Sequence, residues 1–245
     1  MSDYLMMDSI FRKANAQTLD YIFPQHCVLC GSIVSAVSWS PAPLCASCER
    51  TLEFIRGPRC KHCGRELISE LEYCMDCRNL QTSLTHIIPI FSFRGNAASL
   101  IHAFKTGQRI SLARYFAYRI SMLDELVGNI STSICLVPVP PRPEKLKLGQ
   151  FDQVGTIAES LIEYGYHYKK MLLRLSGSSQ QKLLDRASRL KNASLSYTLL
   201  SEKKIMERII LLDDVCTTGA TLEACARLLM QNGNEVAGAI VLAAD

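Results

Sequence analysis

Two groups of residues in this 245-residue sequence could do chemistry: eight cysteines between positions 27 and 77, and an adjacent pair of aspartates followed by a threonine-rich turn. The cysteines fall into four Cys-x-x-Cys pairs, Cys27/Cys30, Cys45/Cys48, Cys60/Cys63 and Cys74/Cys77. Thiolates two residues apart at a tight turn can face one tetrahedral Zn²⁺, and two such pairs close a four-sulfur shell with no position left for a substrate. Four pairs therefore predict two structural Zn²⁺ sites. The intervals of 14 residues after Cys30 and 10 after Cys63 suit sequential ribbons, Cys27, Cys30, Cys45 and Cys48 on one ion and Cys60, Cys63, Cys74 and Cys77 on the other. Spacing alone also permits a cross-braced arrangement. His26 and His62 adjoin these cysteines, but eight thiols already fill two shells.

The second group is the run Ile209-Ile-Leu-Leu-Asp213-Asp214-Val215-Cys216-Thr217-Thr218-Gly219-Ala220-Thr221-Leu222. A buried strand leads into two acids and a small, hydroxyl-rich turn that opens a helix. At such a junction backbone N–H groups converge, and a glycine lets an anion approach them closely. Thr217, Thr218 and Thr221 add hydroxyl donors, so the turn reads as a pocket for one phosphate. Asp213 and Asp214 would repel that phosphate if they touched it. Their chemistry suits sugar hydroxyls instead, directly or through a bound Mg²⁺. A phosphate on one side and a diol on the other describe a ribose 5-phosphate. Neither a Gly-x4-Gly-Lys-Ser/Thr loop nor a Gly-x-Gly-x-x-Gly fingerprint occurs there, so an adenine cofactor is not indicated.

The elements that must position these residues follow from hydrophobic spacing. Leu5 to Phe23 has a loosely helical repeat closed by Pro24 and reads as a docking helix over residues 1–24. Residues 25–80 form the cysteine module, which has too few apolar residues for a core of its own and needs metal in its place. In residues 81–245, strands are expected at Ile87–Phe93, Cys135–Val139, Ile209–Leu212 and Val236–Leu242. Helices are expected over Ala97–Phe104, Ile110–Leu126, Val154–Tyr164 and Leu222–Met230. Strands alternating with helices predict an α/β fold with a parallel sheet. Residues 176–192 are polar and basic and read as a loop.

Composition is that of an ordinary globular protein, 48% apolar and 20% charged, which excludes disordered and low-complexity classes. The formal charge is +4, with the first 80 residues at −1 and the remainder at +5. Residues 142–191 hold ten basic and five acidic side chains, so an anion is expected to meet the protein there. No export signal or membrane-length apolar run is present, and a cytoplasmic location follows as an expectation. In that reducing compartment thiols stay free or bind metal, which disfavours a disulfide framework.

The aspartate-threonine segment resembles the 5-phosphoribosyl 1-pyrophosphate (PRPP) motif of type I phosphoribosyltransferases. The chain as a whole is similar to the ComF (ComFC-like) family of competence proteins, which join a double zinc ribbon to such a domain. The likeness also rests on Phe23-Pro24-x-x-Cys27-x-x-Cys30, Leu136-Val137-Pro138-Val139-Pro140, Phe151-Asp152-Gln153, and Gln181 through Arg189 to Asn192. It implies a type I phosphoribosyltransferase-like parallel sheet behind an N-terminal double zinc ribbon.

The resemblance also implies site residues. Asp213 and Asp214 would be catalytic and hold the ribose hydroxyls. Val215 and Cys216 belong to the same binding segment, and Thr217, Thr218, Gly219, Ala220 and Thr221 would surround the 5-phosphate. Pro140, Pro141 and Arg142 correspond to the pyrophosphate loop, and Lys182 and Arg189 to a closing loop. Mg²⁺ would accompany PRPP, and DNA uptake would be the setting, with the uptake machinery as partner. The alternative is a single-stranded DNA-binding module on a catalytically inactive phosphoribosyltransferase fold. Two departures from the family pattern stand out. Gly149-Gln150-Phe151-Asp152-Gln153 replaces Arg-Gly-Phe-Asn-Gln, and Cys216 stands where Tyr is common.

Overall fold

The structure, a computed structural model, describes residues 24–34, 43–55, 57–68, 71–80, 82–84, 86–107, 109–123, 134–176 and 196–245. The expected docking helix over 1–24 lies outside the described residues except for Pro24, as do Lys182 and Arg189 in the basic stretch.

Five parallel strands form the central sheet. They are β3 (Ile87–Ser92), β4 (Ile134–Pro138), β5 (His167–Tyr168), β8 (Arg208–Cys216) and β9 (Val236–Ala244), in the spatial order β3-β9-β8-β4-β5. Because all run the same way, the turns after β3, β4 and β8 collect at one carboxyl edge. Two prolines fit their places for lack of an N–H. Pro89 lies in the edge strand β3. In β4, Val139 donates to the Leu212 carbonyl of β8 (2.9 Å), so the nitrogen of Pro138 faces the opposite side, beyond the two residues that pair with β5.

Helices α2 (Gly95–Thr106), α3 (Ser111–Ser121) and α5 (Gln153–Ser160) cover one face of the sheet, and α6 (Ala220–Gln231) covers the other. Alternation along β8 divides its side chains accordingly. Ile210 and Leu212 pack with Phe104, Phe116 and Ile157, whereas Ile209 and Leu211 pack with Leu222, Cys225 and Leu229. Within the described residues the expected strands are present, and so are the expected helices, that over Ile110–Leu126 being described as far as Leu123. β8 is longer than its apolar run, because β9 supplies ladder partners past the acids: Asp213 opposite Val241, Val215 opposite Ala243 and Cys216 opposite Ala244.

Among the described residues the cysteine module has no separate core. Cys27, Val34, Leu44 and Leu52 join the apolar cluster containing Phe91, Leu112 and Phe116, while Cys60, Cys63, Cys74 and Cys77 join the one containing Val139, Leu211 and Leu222. The first half of the module thus serves one face of the sheet and the second half the other. Between them, Glu53–Ile55 runs against the free side of β3: Phe54 bridges Phe91, Ile55 donates to the Ile90 carbonyl (3.2 Å) and Ser92 donates to the Glu53 carbonyl (2.8 Å). This contact covers an edge that would otherwise expose unpaired backbone. Strands β1 (Gln25–His26) and β2 (Ile33–Val34) and the short helix α1 (Ala46–Arg50) complete the first half.

Candidate functional site

The eight sulfurs gather into two groups, Cys27/Cys30/Cys45/Cys48 and Cys60/Cys63/Cys74/Cys77, with ligand atoms in each within 4.8 Å of one another. Sequential pairing is therefore the arrangement adopted. Sulfur–sulfur separations of 3.7 Å for Cys30–Cys45 and 3.8 Å for Cys63–Cys74 match the edge of a tetrahedron with metal–sulfur bonds of about 2.3 Å. Both groups are thus consistent with structural Zn²⁺, and none of the eleven cysteines is in a disulfide. His26 is exposed with Nδ1 against the Gly31 carbonyl (2.9 Å), and His62 is fully buried with Nδ1 3.5 Å from the Leu84 carbonyl. Neither belongs to a ligand group.

At the carboxyl edge, β8 carries Asp213 and Asp214 and runs through Cys216 into the turn Thr217–Gly219 and then α6. Gly219 is the residue before the helix, with φ 75° and ψ −3°. The left-handed conformation there suits glycine, and a glycine N-cap contributes no side chain to the first helical N–H groups. Thr217 is exposed, Thr218 half-buried with its hydroxyl 3.4 Å from the Ala220 nitrogen, and Ala220 buried in the first turn. Pro140–Arg142 follows β4, the neighbour of β8, and leads into the short helix α4 (Pro143–Lys147) with Arg142 at its N-cap. The acid pair, the phosphate-type turn and the Pro140–Arg142 turn therefore share one edge.

Alternation sends the two aspartates to opposite faces of the sheet. Asp214 meets Lys105 at the end of α2, with Nζ 2.7 Å from Oδ2. On the α6 face, Asp213 feels the charge of Arg174, which ends β6 (Leu172–Arg174) and stacks 5.2 Å above the ring of Tyr197 in the antiparallel β7 (Tyr197–Leu199). Strands β6 and β7, which flank the basic stretch in the sequence, bring Arg174 and Tyr197 beside Asp213.

Arg174 and Tyr197 are near neighbours that spacing alone misses, whereas Lys105-Thr106-Gly107 reads from the sequence as either a ligand contact or a helix end. Lys105 does stand at a helix end, since Gly107 caps α2. A signal for its second role lies in Phe151-Asp152-Gln153. Phe151 packs edge-on against Phe104 at 5.3 Å, and buried Gln153 donates to the Lys105 carbonyl at 3.4 Å. Asp152 caps α5 by accepting from the Gly155 nitrogen at 2.9 Å. The acid in place of the family's amide keeps that cap, because either side chain supplies an oxygen.

Burial, followed by the charge of Asp214, pushes the Asp213 carboxyl up to about 8, with the Asp214 N–H, Lys105 and Arg174 opposing the shift. The folded chain thus holds a proton on Asp213 that the unfolded chain has released above about pH 4. A raised carboxyl contributes a penalty to folding that grows as pH climbs from about 4 to 8. Asp213→Asn removes it while keeping an oxygen for the Asp214 N–H. The variant is expected to gain on the parent as pH rises from 5.5 to 8.5, by about 3 kcal/mol over that range. Urea unfolding at the two pH values checks this, and an unchanged difference contradicts it.

Comparison with known proteins places the chain among relatives. A family model described as a double zinc ribbon domain matches residues 18–78. The chain is 29% identical over 234 residues to competence protein ComFC of Bacillus subtilis (strain 168), covering 84% of this chain and 89% of that protein. It is 25% identical over 202 residues to competence protein F of Haemophilus influenzae, covering 78% and 86%. With the DNA utilization protein YhgH of Escherichia coli (strain K12) it shares 23% over 217 residues, covering 86% and 92%. Among solved structures, hypoxanthine phosphoribosyltransferase from Trypanosoma cruzi in complex with the product IMP overlaps 56% of this chain and 75% of its own, at 11% identity and a TM-score of 0.31. An overlap that loose carries no residue correspondence. With the ribbon model on its N-terminal part and competence relatives aligned along most of its length, the chain is a ComF-like protein.

Proposed function

We propose that the chain binds PRPP at the carboxyl edge of its sheet and serves the handling of incoming DNA, the setting in which its relatives are named. One observation carries this reading: β8 delivers two acids and then a glycine-turned helix start to the same edge as Pro140–Arg142. Backbone N–H groups of residues 219–221 and the hydroxyls of Thr217, Thr218 and Thr221 receive the 5-phosphate, favoured by the positive end of α6. Asp213 and Asp214 accept from the ribose hydroxyls, and Arg142 faces the pyrophosphate with Lys182 and Arg189 of the basic stretch. Lys105 lowers the cost of holding a second carboxylate beside Asp213.

The donor set fits Mg²⁺ delivered with the substrate: Asp214 is half-buried and engaged by Lys105, and Asp213, which holds a proton in the free chain, would release it as the cation arrives. When bound, the ion neutralises pyrophosphate charge. The protein's own part in any transfer is to fix the ribose between acids and turn and to place cations where pyrophosphate departs. The zinc ribbons are structural in this scheme, and residues 81–245 form the binding domain.

Calorimetric titration of the full chain with PRPP and Mg²⁺ tests the reading. Heat of binding is expected from the parent, and a loss of about 100-fold or more in affinity from Asp213→Asn combined with Asp214→Asn, since several hydrogen bonds to hydroxyls go together. No heat from the parent, or equal affinity in the double variant, contradicts it.

A further inference from the structure

The second cysteine group lies directly against the phosphate-type turn. His62, between the ligands Cys60 and Cys63, is fully buried, and its ring fills the place where a side chain at 219 would stand. A β-carbon on Gly219 would lie 3.0 Å from Nε2 of His62, 3.3 Å from its Cε1 and 3.4 Å from its carbonyl oxygen.

Two further contacts brace the same segment. Glu223, in the first turn of α6, is 1% exposed and accepts from the backbone nitrogens of Ser83 (2.8 Å) and Leu84 (3.0 Å), just past the last ligand, Cys77. On the strand side, Asp245 donates its N–H to the Cys216 carbonyl (3.1 Å). The Asp245 carbonyl in turn accepts from Nε of Arg65 (3.0 Å), whose Nη1 donates to Asp76 (3.1 Å). Strand end, turn and helix start are thus each held by residues 62–84. The first cysteine group packs on the other face of the sheet, with Phe91 and Leu112.

We propose that the second four-cysteine site is the positioning element of the anion-binding turn, with His62 as the residue that transmits its order. Metal bound by Cys60, Cys63, Cys74 and Cys77 fixes the knuckle that carries His62, and the ring fixes the backbone at 219. The N–H groups then stand in place before an anion arrives, and the turn loosens when this metal is lost. The inference rests on the reading of that turn as a phosphate cradle, but the coupling is measurable without any ligand. His62 acts through the turn and is a positioning residue.

Amide hydrogen exchange of the full chain, with zinc content measured alongside, tests it. The readout is exchange over 216–223 relative to 209–212 in the same molecule, which separates local loosening from a general loss of stability. Cys74→Ser is expected to lose one metal and to speed exchange of 216–223 about tenfold relative to the strand. His62→Ala keeps both metals and is expected to show the same selective change, about threefold or more. Cys45→Ser loses the other metal and should leave the ratio within about twofold of the parent. An unchanged ratio in both Cys74→Ser and His62→Ala overturns the proposal, and if Cys74→Ser does not fold, His62→Ala alone decides. Titration of the parent with PRPP and Mg²⁺ settles the ligand separately. Selective loosening without binding heat supports the coupling and removes only the ligand assignment, whereas heat with no selective loosening removes only the coupling.

Discussion

Gly219→Val is expected to fold and to lose PRPP binding. The residue sits at φ 75°, where a side chain costs about 1–2 kcal/mol, and a branched one more. A β-carbon would also meet His62 at 3.0 Å, tighter than ordinary contact, and that ring is buried with little room to retreat. Together these should lower stability by about 3 kcal/mol, and relief by moving the turn would pull the N–H groups away from the anion. Affinity for PRPP should fall by about 100-fold or more. Gly165→Ala supplies the comparison: its φ is 84°, but no atom lies within 4 Å of the added carbon. That variant should pay only the backbone strain and bind normally. Urea unfolding and calorimetry on the two variants check both halves, and Gly219→Val with parental affinity contradicts the cradle.

Removing both metals is expected to destabilise the whole chain as one unit and not the ribbons alone. The sulfur ligands belong to the same apolar clusters as Phe91, Leu112, Leu211 and Leu222, and Glu53–Ile55 covers the edge of β3. Structural Zn²⁺ contributes on the order of 10 kcal/mol per site in small zinc domains at neutral pH. Folded domains are stable by only about 5–15 kcal/mol in total. A strong chelator should therefore lower the thermal midpoint by more than about 10 °C and keep one cooperative transition. Release of both metals with an unchanged midpoint, or a separate early transition confined to residues 24–80, contradicts a shared core.

These expectations also mark what the sequence could disclose. Four Cys-x-x-Cys pairs and an apolar run ending in Asp-Asp-Thr-Thr-Gly are local patterns, and local patterns carry their chemistry with them. Spacing permits two pairings of the cysteines, because it limits which sulfurs can meet without choosing among them. Strand β8 read as ending at Leu212, since charges are poor strand interiors, yet β9 is long enough to pair it to Cys216. The opposite facing of Asp213 and Asp214 follows from strand alternation only once the acids are known to lie within the strand.

Contacts between distant segments were the least legible. Lys105 reaches Asp214 from more than a hundred residues away, and its neighbour Gly107 favours a helix end over a ligand contact for the segment. Phe151-Asp152-Gln153 stands out as a family-like motif, but its packing against Phe104 and the Lys105 carbonyl depends on how α2 and α5 cross. His62 reads from the sequence as a neighbour of metal ligands, and its contact with Gly219 joins two elements that the sequence offers no means to dock. Glu223 did leave a trace: an acid beside the apolar positions Leu222 and Ala226 of α6 needs partners, and Ser83 and Leu84 supply them.

The most direct measurement is a crystal structure of the full chain with PRPP and Mg²⁺. The account predicts the 5-phosphate within hydrogen-bond distance of the backbone N–H groups of residues 219–221, the ribose hydroxyls on Asp213 and Asp214, and pyrophosphate beside Arg142. Density for the ligand elsewhere, or a turn left bare at saturating concentration, would contradict it.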